Sequence, residues 1–315
     1  MTKIKNLFKG NLTPIEAKSV KFGYGKKQIL KDFSLKIGTG EIIGIIGQSG
    51  SGKSTFLKLI TGVITKKFSG KIEIFGKNSK FNKSQIGYVP QEVSLIQELT
   101  IRENINVFGK LQGLTSEQAQ KAAEPILELM HLSDFIDVTP GNLSGGQKVR
   151  INILLSILHN PSIIILDEPF VGLDYYNRKL LWFFFEELKS KKKTLIMTTH
   201  MLSEIEKHAN RIYVLQEGKI IVKGTPAYVK KYMKSTIILE IQTTSNPNRN
   251  QLLDIEHYCR KKNVKLIDVY KKNIIFNLEN NGQKENLLKF LIKIGLKHSI
   301  REYKEANMDE ALMGL

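Results

Sequence analysis

The sequence predicts an α/β protein with a mostly parallel sheet, followed by a small C-terminal α+β domain of the ferredoxin-like kind. Three observations lead to this prediction. Short apolar runs of strand length alternate with helical stretches, as in a parallel sheet covered by helices on both faces. A glycine-rich loop directly follows the first buried run. After residue 232 the order of elements becomes β-α-β-β-α-β.

The elements of the larger part are predicted from hydrophobic periodicity, in chain order. Residues 19–37 are strand-like and are broken by a turn at Gly23-Tyr24-Gly25. Residues 71–76 alternate with period two, which predicts an antiparallel strand beside the first. The other predicted strands are 41–46, 162–166 and 194–197, and the predicted helices are 55–61, 116–130 and 177–189 within generally helical sequence from 100 to 160. Together these predict an antiparallel β subdomain and a helical subdomain beside the parallel sheet.

The C-terminal part is predicted in the same way. Its strands are 236–241, 265–269, 274–278 and 298–303, its helices are 251–261 and 284–294, and a last short helix covers Met308 to Leu312. We therefore divide the chain into an N-terminal extension, residues 1–16, a main domain, residues 17–232, and an accessory domain, residues 233–315. The helical subdomain of the main domain covers about residues 92–160.

Composition narrows the class of protein. Apolar residues make up 41% and charged residues 25% of the 315, the balance of an ordinary globular protein. The single cysteine, Cys259, excludes a disulfide framework. The longest apolar runs fall short of the roughly 18–20 residues that span a bilayer, and residues 1–12 lack a signal-peptide core. These features predict a soluble, intracellular chain.

The net charge is +18, from 48 basic and 30 acidic residues. A positive surface favours nucleic acid, anionic nucleotides or the anionic face of a membrane as partners. Lysine-rich composition with solvated side chains explains the same number equally well. Charge alone therefore selects no partner.

The loop after the first buried strand predicts a phosphate site. Gly47-Gln48-Ser49-Gly50-Ser51-Gly52-Lys53-Ser54 fits G-x-x-x-x-G-K-[ST] between a strand and a helix, the context that this motif requires. Its glycines let backbone N–H groups converge on the β- and γ-phosphates, and the helix N-terminus favours negative charge. Lys53 is expected to neutralise the phosphates, and the Ser54 hydroxyl to ligate Mg²⁺.

A second site follows the apolar strand 163–166, which ends in Asp167 and Glu168. An aspartate at the tip of a strand beside a phosphate loop can hold Mg²⁺ through water. The adjacent glutamate is then placed to polarise a water for in-line attack on the γ-phosphate. We therefore predict Asp167 as a metal ligand and Glu168 as the general base.

Leu143-Ser144-Gly145-Gly146-Gln147 resembles the signature sequence of the ATP-binding cassette (ABC) ATPases, and the other motifs of that family occur in order over residues 17–232. The resemblance implies that Tyr24 stacks on adenine, that Gln91 is the Q-loop glutamine and that Asp174 belongs to the D-loop. It also implies that His200 contacts the γ-phosphate as the switch histidine. The expected catalytic residues are Lys53, Glu168 and His200; the expected nucleotide contacts are Tyr24, Gly47, Gln48, Ser49, Gly50, Ser51, Gly52, Lys53, Ser54, Thr55, Gln91, Ser144, Gly145, Gly146, Gln147 and Asp174; the expected Mg²⁺ ligands are Ser54, Gln91 and Asp167.

The family's dimer mechanism agrees with the helix at the signature sequence. Ser144 and the two glycines open a helix, whose N–H groups and dipole form a second anion site. Two chains arranged head-to-tail could each offer Ser144 and Gly146 to the ATP held by the other chain's Lys53. The resemblance therefore implies a homodimer, or a heterodimer with a similar chain.

Several segments resemble the branch of the family that powers multidrug, lipid and polysaccharide exporters: 99–105, 108–114, 216–220, 224–226 and the tail 308–312. This implies a separate multi-pass membrane subunit, docked on residues 91–101 and the helical subdomain, and a cytoplasmic chain peripheral to the inner face of the cell membrane. Three alternatives remain open: an importer subunit, a soluble ABC ATPase acting on nucleic acid or protein assemblies, and a regulator whose C-terminal domain binds a small ligand. Because the chain lacks a second cassette, coiled coils and zinc-binding cysteines, we expect no nucleic-acid partner.

Overall fold

The computed structural model describes residues 13–78, 83–200, 202–233 and 237–305. These residues form two compact units. The N-terminal unit contains the described residues up to His200 together with Ile205–Thr225, and the C-terminal unit contains the described residues from Pro226 onward together with the start of a helix, Leu202 to Glu204. The predicted helix at Met308 to Leu312 lies outside the described residues, and so do residues 1–12 of the predicted N-terminal extension, residues 1–16. Ile15 and Glu16 of that extension already belong to the first strand, because they pair with the strands beside it.

The N-terminal unit has ten described strands and six described helices. In chain order the strands are β1 (Ile15–Tyr24), β2 (Lys27–Ile37), β3 (Ile42–Ile46), β4 (Ser69–Ile74), β5 (Lys77–Asn78), β6 (Ile86–Val89), β7 (Ile163–Asp167), β8 (Thr194–Thr199), β9 (Arg211–Gln216) and β10 (Lys219–Gly224). The helices are α1 (Lys53–Thr61), α2 (Ile101–Leu111), α3 (Ser116–Leu129), α4 (Gly145–Ile157), α5 (Tyr175–Ser190) and α6 (Leu202–His208).

The central sheet has the strand order β10-β9-β3-β8-β7-β6, and only β10 runs antiparallel to its neighbour. Every residue of β3, β7 and β8 is buried, as expected for parallel strands covered on both faces. Loops that follow parallel strands meet at one edge of the sheet. The carboxyl ends of β3, β7, β8 and β6 therefore bring four loops together.

A second, antiparallel sheet has the order β2-β1-β4-β5. β4 pairs with β1 in antiparallel fashion, from Ile15 opposite Ile74 to Lys21 opposite Ser69, as the alternation of residues 71–76 predicts. Apolar side chains of this sheet share one core cluster with β3 and α1, including Phe33, Ile45 and Phe56. The mostly parallel sheet and the antiparallel β subdomain of the predicted fold class are confirmed.

Three helices lie between β6 and β7, where the sequence predicts helical structure from 100 to 160. Each begins with a reciprocal capping box: Thr100 with Glu103 for α2, Thr115 with Gln118 for α3, and Ser144 with Gln147 for α4. Gly113 and the segment 130–144 interrupt the helices. Among the described residues, no helix is both long and apolar enough to cross a lipid bilayer.

The C-terminal unit begins with α7 (Pro226–Met233), ahead of the predicted boundary at residue 233. It continues with β11 (Ile237–Thr243), α8 (Arg249–Lys262), β12 (Lys265–Tyr270), β13 (Asn273–Leu278), α9 (Asn281–Lys293) and β14 (His298–Glu305). The sheet is fully antiparallel, with the order β12-β13-β11-β14. The predicted β-α-β-β-α-β order is present, and Leu239, Phe276 and Leu287 lie in a core of its own.

Candidate functional site

The glycine-rich loop connects β3 to α1, and two of its glycines are required by geometry. A Cβ atom on Gly47 would collide with the carbonyl oxygen of Leu215. Gly52 caps α1 with a φ of 106°, a left-handed conformation that disfavours other residues. The loop can therefore fold closely against β9 before α1 begins.

Lys53 is the first residue of α1 and is buried. Its Nζ donates hydrogen bonds to the carbonyl oxygens of Gly47 at 2.7 Å and Gln48 at 3.1 Å. Burial lowers the pKa of the Lys53 amine, against the opposing effect of Glu168 and Asp167. The ammonium group thus lies inside the loop, where an anion would supply the compensating charge that burial favours.

Asp167 ends β7, is buried, and accepts two side-chain hydrogen bonds at the same oxygen. Ser54 Oγ donates to Asp167 Oδ1 at 3.0 Å, and Thr198 Oγ1 donates to it at 2.6 Å. These are hard oxygen ligands of the kind that Mg²⁺ prefers. Among the described residues there is no cluster of three or more His, Cys, Asp or Glu side chains that could hold a metal. The donor set fits an ion that takes its remaining ligands from phosphate oxygens and water.

Glu168 follows directly and has a φ of 53°, a left-handed conformation that is unusual for a residue other than glycine. Its N–H is held by the Thr198 carbonyl oxygen at 3.2 Å and by Thr198 Oγ1 at 3.0 Å. The side-chain Oε2 lies 3.0 Å from His200 Nδ1. The turn therefore directs the carboxylate of Glu168 toward His200, beyond the end of β8.

These loops enclose a cavity of about 440 Å³. It is lined by Lys27, Ile29, Ser49, Gly50, Gly52, Lys53, Ser54, Thr55, Gln91, Glu168, Val171 and His200. Nine of these residues are predicted site residues; Lys27, Ile29 and Val171 are not, since no motif marks them. The Ser51 hydroxyl is buried without a hydrogen-bond partner in the described part of the chain. An unsatisfied donor and a buried cation in one glycine-rich loop fit a phosphate group.

Tyr24 is not among the residues that line this cavity. It is 45% exposed at the end of β1, with its ring edge-on to Phe22 at a centroid distance of 5.0 Å. The Lys66 ammonium lies 5.7 Å from its ring centroid. The described arrangement leaves the Tyr24 ring available for a stacking partner.

The signature residues lie at the start of α4 and do not line the cavity. Ser144 Oγ accepts from the Gln147 N–H at 3.2 Å, and Gln147 Oε1 accepts from the Ser144 N–H at 2.8 Å. Ser144 and Gly145 are exposed, whereas Gly146 is buried. Helix α4 therefore presents its N-terminus to solvent, away from the residues that surround Lys53.

Asp174 caps α5 beside the signature sequence. Its Oδ1 accepts from the Asn177 N–H at 2.8 Å, and its Oδ2 from Asn177 Nδ2 at 2.7 Å. These hydrogen bonds from Asn177 lower the pKa of the Asp174 carboxyl. A Cβ on Gly146 would lie 2.7 Å from the Asn177 amide, so glycine allows α4 and α5 to meet here.

Comparison with known proteins agrees with these features. The family model described as ABC transporter matches residues 30–171. The Nod factor export ATP-binding protein I of Rhizobium sp. (strain N33) is 33% identical over 71% of this chain and 75% of the relative. The linearmycin resistance ATP-binding protein LnrL of Bacillus subtilis (strain 168) is 34% identical over 79% of this chain and 81% of the relative.

Solved structures give the same answer at the level of the fold. The ATP-binding subunit of an ABC transporter superposes with a TM-score of 0.64 and 28% identity, covering 70% of this chain and 93% of that one. A nucleotide-free ATP-binding cassette from an ABC transporter gives a TM-score of 0.61 and 26% identity, over 68% and 91% of the two chains. The chain belongs to the ABC transporter family and is an ATP-binding, ATP-hydrolysing subunit of that family.

Proposed function

We propose that this chain powers an exporter whose membrane-spanning subunit is a separate protein. The names of two relatives, one in Nod factor export and one in linearmycin resistance, support this direction of transport. The segments 99–105, 108–114, 216–220 and 224–226, which resemble the exporter branch, also support it. The transported molecule is selected by the membrane subunit.

ATP is bound, in this proposal, by the cavity around α1. Backbone N–H groups of the loop and the Lys53 ammonium hold the β- and γ-phosphates, while the unsatisfied Ser51 hydroxyl adds a donor. Ser54, Asp167 and Gln91 would hold Mg²⁺, and the ion would neutralise phosphate charge. Tyr24, which does not line the cavity itself, stacks on the adenine.

Glu168 acts as the general base for hydrolysis. Its carboxylate accepts a proton from water as the water oxygen bonds to the γ-phosphorus and the bond to the bridging oxygen of ADP breaks. The 3.0 Å contact with His200 orients the carboxylate and brings the imidazole to the γ-phosphate side of the cavity. This contact is the single observation that carries the catalytic assignment.

The exposed N-terminus of α4 completes the site of a second copy. Ser144 and Gly145 are exposed and lie outside the cavity lining, so the start of α4 is accessible to an anion held by another chain. A head-to-tail dimer, of this chain or with a similar one, would enclose two ATP molecules between Lys53 of one copy and Ser144 and Gly146 of the other. The capping hydrogen bonds of Gln147 and Asp174 would hold the starts of α4 and α5 in place at this interface.

A groove beside Gln91 suits the membrane subunit. It has a volume of about 820 Å³ and is lined by Tyr88, Phe108, Leu111, Leu114 and His159, among others. Leu111 is 78% exposed and lines this groove with other apolar side chains, and contiguous apolar surface of this kind is typical of interaction sites. We place a cytoplasmic helix of the membrane subunit here, so that the chain is peripheral to the inner face of the membrane and its lysines face anionic headgroups.

Purification of the tagged chain from mild-detergent extracts of its host tests this proposal. We expect a stoichiometric multi-pass membrane protein, and we expect Leu111→Lys to release it while leaving ATP binding intact. Leu253→Lys, at an exposed leucine of α8 (56% exposed), is the control. Co-purification of a solute-binding protein would favour an importer, and recovery only with ribosomes, DNA or a soluble assembly would contradict transport.

A further inference from the structure

The C-terminal unit has a sheet edge that nothing in its described residues covers. β14 lies at the end of the strand order β12-β13-β11-β14 and pairs only with β11. The side chains of residues 299–303 are all exposed. Since consecutive side chains of a strand point to opposite faces, both faces of this edge strand are open. Such an edge presents unpaired N–H and C=O groups to another strand.

One face of this edge is apolar. Ile300 pairs with Ile241 and Tyr303 with Leu239, and both partners belong to the core beneath α8 and α9. Ile300 and Tyr303 therefore lie on the helix-covered face, yet they are 45% and 37% exposed. The apolar face of the sheet therefore continues from the core onto β14, where the described residues leave it partly exposed.

Helix α9 continues this apolar surface. Lys284, Leu288 and Ile292 are four residues apart and share one flank of the helix. The Lys284 ammonium lies 3.5 Å from the Tyr303 ring centroid, so this flank borders β14. On the other flank, Phe290 stacks on Tyr258 of α8. Ile292 is 67% exposed on the flank beside β14.

The irregular pairing of β14 fixes which residues can face each other in a two-fold pair. Opposite residues of an antiparallel pair lie on the same face, and a two-fold axis normal to the sheet keeps each face. The register shifts between Ile241–Ile300 and Glu240–Glu302, so Arg301 is an extra residue. In a regular strand, residues three apart point to opposite faces of the sheet. The extra residue of this bulge places Ile300 and Tyr303 on the same face.

The sequence of this edge is complementary to itself in that register. With Ile300 opposite Tyr303 of a second copy, Arg301, whose Nη1 already lies 3.3 Å from Glu240 Oε1 of its own chain, faces Glu302, and each pair occurs twice. Apolar–aromatic and opposite-charge pairs across strands are both stabilising, whereas a register with Glu302 opposite itself would place like charges together. Charge complementarity therefore favours a second copy of this chain as the occupant.

We propose that β14 pairs with β14 of a second copy, joining two C-terminal units into one continuous eight-stranded sheet that holds the chain as a dimer without nucleotide. The two copies of α9 then lie on the same face, with Ile292 close to the joint. This goes beyond the proposed function, in which ATP brings the N-terminal units together. The exporter would keep its two ATPase subunits paired throughout the cycle.

Sedimentation of the full chain without nucleotide, in the Lys53→Ala background, tests the proposal separately from ATP-driven closure. We expect a dimer, and we expect Ile300→Lys to raise its dissociation constant at least about tenfold, since charge on an edge strand opposes pairing. Tyr270→Lys, on the opposite edge strand β12, should leave it unchanged. Circular dichroism checks that both variants are folded.

Cysteine cross-linking tests the register. The native thiol, Cys259, is buried, so an introduced surface cysteine is the reactive one. An equal mixture of Ile300→Cys and Tyr303→Cys chains should form mixed disulfides rapidly under mild oxidation, and either variant alone should not, because opposite residues are close enough to bridge and residues three apart are not.

Three results would overturn the proposal. The first is a monomer at all concentrations without nucleotide, and the second is a dimer that Ile300→Lys and Tyr270→Lys affect equally. The third is a dimer that forms only after residues 306–315 are removed, which would mean that the chain's own C-terminal tail occupies the edge.

Discussion

Glu168 has a left-handed backbone conformation in a turn anchored by Thr198, and its carboxylate reaches His200. Such strained positions persist where the surrounding structure holds them, and they concentrate at functional sites. Asp167 shares its oxygen between Ser54 and Thr198, so the two adjacent acids have different surroundings. The buried carboxylate of Asp167 is suited to binding a metal ion, and the carboxylate of Glu168, which lines the cavity, is suited to accepting a proton from water.

Replacing Glu168 with Gln should leave ATP binding intact and slow hydrolysis by a factor of about 10²–10⁴, the contribution expected of a general base. The closed, ATP-bound dimer should then accumulate. Binding of a fluorescent ATP analogue and single-turnover hydrolysis measure the two effects. Glu187→Gln, at a carboxylate paired with Lys191 on α5, is the control. Hydrolysis at the parent rate would show that Glu168 is not the general base.

Cys259 should be nearly inert in the folded chain. Burial raises the pKa of its thiol from 9.0 to about 11, so the reactive thiolate is scarce near neutral pH. Between these values the unfolded chain loses its proton first, and this group's contribution to stability therefore falls as pH rises from 9.0 to about 11.

Reaction with a chromogenic disulfide at about pH 8 should be slow for the native protein and fast after denaturation, when the thiol regains its ordinary pKa. The native rate should rise with pH up to about 11. Rapid reaction of the native protein at neutral pH would contradict the burial of this thiol.

At the scale of elements, the site depends on four loops that follow β3, β6, β7 and β8 and on the starts of α4 and α5. Most of this could be predicted from the sequence, because the motifs occupy the ends of strongly apolar strands. Periodicity predicted α3 to within one residue, but it did not predict where α2 and α4 begin and end, since Gly113 and local capping decide this. Lys27 and Ile29 line the cavity only through the pairing of β2, which no motif records.

The junction of α4 and α5 makes a prediction about stability. Gly146→Ala should lower the unfolding free energy by about 1–3 kcal/mol, because its Cβ would lie 2.7 Å from the Asn177 amide that also binds Asp174. Gly145→Ala meets nothing within 4 Å and should cost little. Thermal unfolding without nucleotide measures both.

A double-mutant cycle locates the cause of this loss. If crowding against Asn177 is responsible, Asn177→Ala should recover much of the stability lost in Gly146→Ala, giving a coupling energy between the two sites. Additive effects of the two substitutions would contradict a direct contact between α4 and α5 at this point.

At the scale of the whole molecule, the core cluster of the N-terminal unit around Phe33 and that of the C-terminal unit around Phe276 share no residue within the described part of the chain. A chain ending at residue 233 should therefore fold, bind ATP and hydrolyse it when concentrated, but remain monomeric without nucleotide. Thermal unfolding with and without ATP, together with sedimentation, measures these properties. Failure of the truncated chain to fold would show that the N-terminal unit depends on the other.

If each ATP site is built from two copies of the chain, two inactive variants should restore one another when they are mixed. Lys53→Ala and Ser144→Arg chains should each be inactive alone. Mixed in equal amounts, half of the dimers combine the two variants and hold one intact site, so single-turnover hydrolysis should return to about a quarter of the parent's sites. A mixture as inactive as its separate components would contradict the composite site.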